Sequence, residues 1–260
     1  MPEDGERDPA VTARGPARVA AVAQVFVEDV DAPVVSDEDA HHLTRSLRVR
    51  AGETVVAADG QGHWRRCRVS PVVAAHAPDG PIGAALLEAD GPPEFDPQPE
   101  TPVTVGFVPV KGDRPEWVVQ KLTEIGVDRV AVLRSTRSVV RWEGERGDRA
   151  LERLRRVARQ AAAQSRRAWL PTVEGVWTVP ELAAELAPGA LALADPQATA
   201  ATGPLSAMAV GPEGGWEPAE LELEGIARVG LGPAILRAET AAVVAGTLLC
   251  ALRDGTLRPW

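Results

Sequence analysis

Two stretches of this chain carry residue types that bind ligands through the main chain: Gly211-Pro212-Glu213-Gly214-Gly215-Trp216 and Leu231-Gly232-Pro233-Ala234-Ile235-Leu236-Arg237-Ala238-Glu239-Thr240. The first follows the apolar run Met208-Ala209-Val210 and leads into Glu217-Pro218-Ala219-Glu220, the pattern of a strand, a glycine loop and a helix start. Pro218 suits a first helical turn, where its missing N–H costs nothing. Gly211, Gly214 and Gly215 allow positive φ and let a ligand approach the backbone. The second stretch repeats the plan: Arg228 to Leu231 reads as a strand, Gly232-Pro233 as a turn, and a helix begins near Ala238 to Thr240. Two such loops close in sequence are expected to lie side by side at the carboxyl edge of a parallel sheet, where open α/β sheets bind ligands. One glycine pair alone marks a turn; the pairing of these two loops is the specific signal.

The elements needed to hold the loops are readable upstream. Val103 to Val108 reads as a buried strand. Asp113-Arg114-Pro115-Glu116 marks a helix start, Val118, Leu122 and Ile125 form its apolar stripe, and Gly126 ends it. Val130–Leu133, Leu191–Ala194 and Ala207–Val210 are further strands, Asp148–Ser165 a long arginine-rich helix, and Thr240–Leu252 a buried closing helix. Strands alternating with helices predict an α/β fold, a mainly parallel sheet covered on both faces, over about residues 102–260.

The N-terminal part differs. Residues 1–21 are polar and rich in Pro, Gly, Asp and Arg, and read as a disordered lead-in with no signal-peptide core. From 22 to 92 short extended runs follow one another: Gln24–Val27, Thr54–Ala58, His63–Val69, Val72–Ala75 and Ala84–Ala89, with a hairpin signal at Asp59-Gly60. Ser36 can cap a helix whose Ala40, Leu43 and Leu47 fall on one face. This spacing predicts a small β-barrel. Prolines through residues 93–101 mark a linker.

Several of these stretches together resemble one family. Gly211–Gly215 followed by Leu231-Gly232…Leu236-Arg237-Ala238-Glu239-Thr240 looks like the RsmE-type methyltransferases of the SPOUT superfamily, which act on uridine in 16S ribosomal RNA. His42, Leu47-Arg48 and Asp59-Gly60 sit in the family's H…LR…DG pattern. Lys111-Gly112-Asp113 through Gln120-Lys121-Leu122-Thr123-Glu124-Ile125-Gly126 resembles its K…QK..ELG helix, and Gln164-Ser165-Arg166-Arg167 its EQ(C/S)GR motif, with Ala163 in place of the acid and Arg166 in place of the glycine. The resemblance runs from about residue 23 to the C-terminus. It implies a PUA-like barrel ahead of a methyltransferase domain closed by a trefoil knot, S-adenosylmethionine as cofactor, and a homodimer with its site at the interface. Leu193 and Ala194, Gly211, Pro212, Glu213, Gly214 and Gly215, and Leu231, Gly232 and Leu236 would then surround the cofactor.

Removing the N3 proton of uridine spreads negative charge onto O2 and O4, so an arginine aimed there would stabilise the transition state. Arg237 is the first candidate, with Arg166 and Arg167 behind it. Glu239 or Glu213 could accept a proton or hold an arginine, and Glu239 could equally serve the helix dipole. Net charge is −9, yet arginines cluster. Arg45, Arg48 and Arg50, then Arg65, then Arg156 and Arg159 in the run from Arg146 to Arg167, are expected to face RNA. No apolar run reaches membrane-spanning length; the expected partners are the small ribosomal subunit and a second copy, neither membrane nor DNA, in the cytoplasm. Cys67 and Cys250 are isolated and expected to be free buried thiols. A SPOUT ribose 2′-O-methyltransferase and a non-catalytic ribosome-assembly factor are the alternatives.

Overall fold

The computed structural model describes residues 18, 20–71, 87–199 and 203–257. Most of the predicted lead-in and the extended runs at 72–75 and 84–86 lie outside them. The N-terminal sheet is built from β1 (Ala23–Phe26), β2 (Thr54–Ala58), β3 (His63–Val69), β4 (Leu87–Ala89) and β5 (Glu94–Phe95). Its order is β1-β2-β3-β4, with β5 also on β3; β1 runs parallel to β2 and the rest are antiparallel. The Asp59 carboxylate shapes the β2–β3 turn by accepting from Gln61 N at 2.7 Å and His63 N at 3.1 Å.

Between β1 and β2 lies α1 (Asp37–His41), whose N-terminus Ser36 caps by accepting from Asp39 N at 3.1 Å. The helix then widens into a π turn over His42–Ser46. That widening breaks the expected apolar face: Ala40 and Leu43 are buried, but Leu47 is exposed. The proline-rich linker is also corrected at its start. β5 pairs with β3, and the Asp96 carboxylate accepts from Trp64 Nε1 at 2.9 Å, so Glu94–Asp96 is tied to the N-terminal sheet.

The second sheet has six strands, all parallel, in the order β11-β9-β10-β6-β7-β8. These are β6 (Thr104–Phe107), β7 (Arg129–Leu133), β8 (Thr172–Trp177), β9 (Leu191–Ala194), β10 (Ala207–Val210) and β11 (Ala227–Val229). Helices α2 (Arg114–Ile125), α3 (Gly144–Gln164) and α6 (Ala238–Arg253) cover one face; α4 (Val179–Ala184) and α5 (Pro218–Leu221) accompany the other. β8 and α4 escape sequence reading because Thr172–Trp177 mixes Glu and Gly into the strand, although Thr178 and Glu181 form a capping box.

On the first face α6 packs against α2, β6 and β10. Gly246 makes that approach possible, because a Cβ there would lie 2.7 Å from Leu122 Cδ2 and 3.0 Å from Val127 Cγ2. Fully buried Leu122 alone contributes about 1.5–3 kcal/mol by leaving water. Ala242, Ala245 and Leu249 are consumed within the protomer. What α6 can still offer a second copy includes the half-exposed Val244 and Leu248 and the exposed Leu252, spaced by four. Both cysteines are free and buried. No helix among the described residues is long and apolar enough to cross a membrane.

Candidate functional site

The strand order decides how the two glycine stretches meet. β9 lies between β10 and β11, so the loops after β10 and β11 are not neighbours; the loop after β9 separates them. Three loops thus stand in a row at the carboxyl edge. Each is fastened to the middle one. Trp216 is buried, and its indole N–H donates to Ala194 O at 3.1 Å. Asp195 N donates to Val229 O at 2.9 Å, and Gly230 N to Thr199 O at 3.1 Å. The Arg228 guanidinium bonds the Asp195 carboxylate at 2.6 Å.

The glycines divide between the tasks expected of them and others. Gly215 (φ 71°) and Gly232 (φ 140°) are left-handed, and a Cβ at either would meet nothing within 4 Å. They leave open space at the loop tips. Gly211 and Gly214 are not left-handed. A Cβ on Gly211 would strike the Trp216 ring at 2.9 Å, so that glycine makes room for tryptophan rather than for a ligand. Leu231 and Leu236 are half-buried against the main core and form an apolar wall, while Ile235 stands 88% exposed between them. Leu193 is buried and Ala194 half-buried. Gly215 turns under Pro212, donating to its carbonyl at 2.8 Å. Exposed main chain at Gly214, Gly215 and Gly232, apolar walls and open tips fit a nucleoside-bearing cofactor held by backbone groups.

Sequence reasoning missed the arginines that brace this edge. Arg137, after β7, donates Nη1 to Gly214 O at 2.8 Å and Nε to the Glu217 carboxylate at 2.7 Å. Nothing in its spacing marks it. Beside it Ser135 Oγ bonds Glu220 at 3.0 Å, and a cleft of about 600 Å³ opens between Ser135, Thr136, Trp142, Thr178 and Glu220. Arg114, at the start of α2, lies 3.0 Å from Glu213 Oε1 and 3.5 Å from Glu239 Oε1. So Glu213 and Glu239 do hold an arginine, but it is Arg114. Glu239 Oε2 is buried with no hydrogen-bond partner among the described residues.

Of the three catalytic arginine candidates, Arg237 alone stands at this edge. It occupies the N-cap position of α6, is exposed, and forms no ion pair among the described residues. Arg166 and Arg167 are corrected. They lie between α3 and β8, at the amino edge of the sheet. The buried Arg167 guanidinium donates to Thr123 O at 3.0 Å and Val127 O at 2.6 Å and pairs with Asp128 at 3.3 Å. Arg166, itself left-handed (φ 60°), donates to Ala163 O and Ala21 O. Its guanidinium is partly buried, which lowers its pKa from the usual value. The Arg166 side chain ties the N-terminal unit to the end of α3, and the Arg167 side chain braces the turn after α2.

The RNA-facing set divides likewise. Arg45, Arg48, Arg50 and Arg156 are exposed and form no ion pair among the described residues. Arg65 instead donates to Gly91 O at 2.7 Å, and Arg159 to Phe26 O at 2.9 Å and Asp39 at 3.1 Å while covering the Phe26 ring. Those two hold structure together.

A parallel sheet presenting three fastened loops, behind a separate β-rich unit, is an α/β architecture with a ligand-binding carboxyl edge. Residues 97–250 match the RNA methyltransferase domain family, and residues 35–72 the RNA methyltransferase PUA domain. The chain belongs to the ribosomal RNA small subunit methyltransferase E family. A Mycobacterium bovis protein of that name is 37% identical over 228 residues, covering 82% of this chain and 83% of the relative. A Bacillus subtilis protein of the same name is 26% identical over 84% of this chain and 90% of its own. The crystal structure of a ribosomal RNA small subunit methyltransferase E from Neisseria gonorrhoeae bound to S-adenosyl methionine aligns with a TM-score of 0.73, at 25% identity, over 88% of this chain and 97% of that one.

Proposed function

We propose that this protein methylates N3 of one uridine in 16S ribosomal RNA, with S-adenosylmethionine as donor. The observation that carries the reading is the row of three loops locked together through Ala194, Asp195 and Trp216 at the carboxyl edge. Main-chain groups of residues 194–197, 211–216 and 231–236 would hold the cofactor, which supplies an electrophilic methyl group. Arg237 would face the uracil oxygens as the N3 proton leaves and stabilise the charge that develops there. Its exposure at the end of the third loop, with no acid claiming it, supports that role. Glu213 and Glu239 would act by positioning Arg114, not by taking the proton.

The proposed division of labour has residues 22–92, with Glu94–Asp96 attached, gripping RNA through Arg45, Arg48 and Arg50, and residues 102–260 performing the transfer. The Val244, Leu248, Leu252 stripe supports a homodimer. A ribosome-directed substrate places the work in the cytoplasm. The test is to incubate purified protein with small ribosomal subunits and methyl-labelled donor, then map the mark by digestion and mass spectrometry. A uridine methylated on its base is expected. A ribose mark would replace the reading with 2′-O-methylation, and no mark despite donor binding would make the protein an assembly factor.

A further inference from the structure

A second cleft, of about 370 Å³, opens on the same edge between the loop after β6 and the first turns of α3. That volume is within the range of small-ligand sites. Lys111, Arg146, Arg149 and Arg153 line it, and no acidic residue does. In a chain with 37 acids against 28 basic residues, such a concentration is unexpected by composition alone. Arg153 is committed to Glu116 at 2.5 Å. Arg149 approaches Glu145 only to 3.9 Å, with both side chains more than 70% exposed, a contact worth little in water. Lys111 and Arg146 form no ion pair among the described residues. Of the four cations, only Arg153 is therefore neutralised by a close ion pair among the described residues.

Two further features favour an anion there. The N-termini of α2, 12 residues long, and α3, 21 residues long, both border the cleft, and neither Asp113 nor Glu143 caps its helix with a side chain. First-turn N–H groups are therefore left without a side-chain cap, while Glu116 and Glu145 stand in the first turns of the two helices. Gly112 is left-handed (φ 85°), and a Cβ there would meet nothing within 4 Å, so the backbone at the rim is bare. The other wall is apolar: Val140, Pro115 and the half-buried ring of Trp142. Cations on one side and a flat aromatic on the other match a nucleotide, phosphate to the arginines and base to the ring. The cleft is also joined to the loops. Three residues beyond Lys111, Arg114 reaches Glu213 in the first glycine loop.

We infer that this cleft binds one nucleotide of the RNA strand, beside the one that is methylated. The inference rests on the methylation reading above for the identity of the strand. The test uses full-length protein and a fluorescein-labelled, 20-nucleotide single strand containing the methylated uridine, with binding followed by anisotropy across a salt series. The double variant Arg146→Glu/Arg149→Glu is expected to bind more than tenfold more weakly. Its slope of log affinity against log salt should be shallower by about 0.7, the loss of one neutralised phosphate. Trp142→Leu should weaken binding about tenfold with the slope unchanged, since it removes stacking and no charge. Donor affinity should stay within twofold in both. Wild-type RNA affinity and slope in the double variant overturn the cleft while leaving the methylation reading intact. Wild-type protein that binds this RNA with the full slope yet leaves no base mark on small ribosomal subunits removes the methylation reading and leaves the cleft standing.

Discussion

Replacing Gly211 tests how the loops are held. A Cβ at this position would lie 2.9 Å from Trp216 Cε2, 3.1 Å from Cδ2 and 3.2 Å from Nε1. The ring is buried, and moving it away breaks the bond from Nε1 to Ala194 O. Overpacking of this kind costs about 1–3 kcal/mol, and the lost hydrogen bond adds about 1 kcal/mol. Gly211→Ala should therefore lose about 3 kcal/mol of stability, which at this chain length lowers the melting temperature by about 6–12 °C. Because Trp216 links two of the proposed cofactor loops, donor affinity should fall with it. Thermal melts without ligand and calorimetric titration with S-adenosylmethionine measure the two effects. The decisive comparison repeats the substitution in a Trp216→Leu background. With no ring to strike, Gly211→Ala should then cost well under 1 kcal/mol, a strong non-additivity. An equal cost in both backgrounds, or an unchanged melting temperature in the first, refutes the steric account.

Arg167→Ala should destabilise by about 3–5 kcal/mol in a denaturant titration, because it strands two carbonyls and half of the Asp128 pairing in a buried place; a loss below 1 kcal/mol would undo the structural assignment. Arg237→Ala should lower turnover about 100- to 1,000-fold with RNA affinity kept within twofold, and near-normal turnover would move the role elsewhere. Burial pushes both the Cys67 and Cys250 thiols up to about 11. At pH 8 roughly a thousandth of each is thiolate, so thiol reagents should label the native protein slowly and the denatured protein fast. Prompt labelling of two thiols in the native state would contradict the packing.

Much of the sheet was legible because its strands are short apolar runs flanked by glycine, and buried parallel strands need no polar face. The helix start at Asp113-Arg114-Pro115-Glu116 and the stop at Gly126 were readable for the same local reasons. Strand order was not. Nothing in the spacing of residues 191–237 says that β9 sits between β10 and β11, and that order alone brings Ala194 under Trp216. The candidate site divides along the same line. Its glycines and leucines were visible as loop chemistry. Arg114 and Arg137 were not, because the residues they hold lie 99 and 77–80 positions away. Conversely, Arg159, Arg166 and Arg167 looked available because sequence shows charge but not the carbonyls that surround it.

Those three arginines give the molecule a stiff shoulder. Gln24 Nε2 donates to Arg167 O at 2.6 Å, Arg159 and Arg166 reach the carbonyls of Phe26 and Ala21, and Trp169 Nε1 bonds Asp96 O at 2.8 Å. The N-terminal sheet is thereby bolted to the far end of α3, whose near end carries Arg146 and Arg149. On the proposed reading, the enzyme is a calliper with a preset gap: one jaw at Arg45–Arg50, the other at the three loops, and a 21-residue helix as the bar. A calliper does not need to recognise what it closes on at every point. An RNA whose folded shape spans the gap is modified, and a strand of identical sequence that has not yet adopted that shape is passed over.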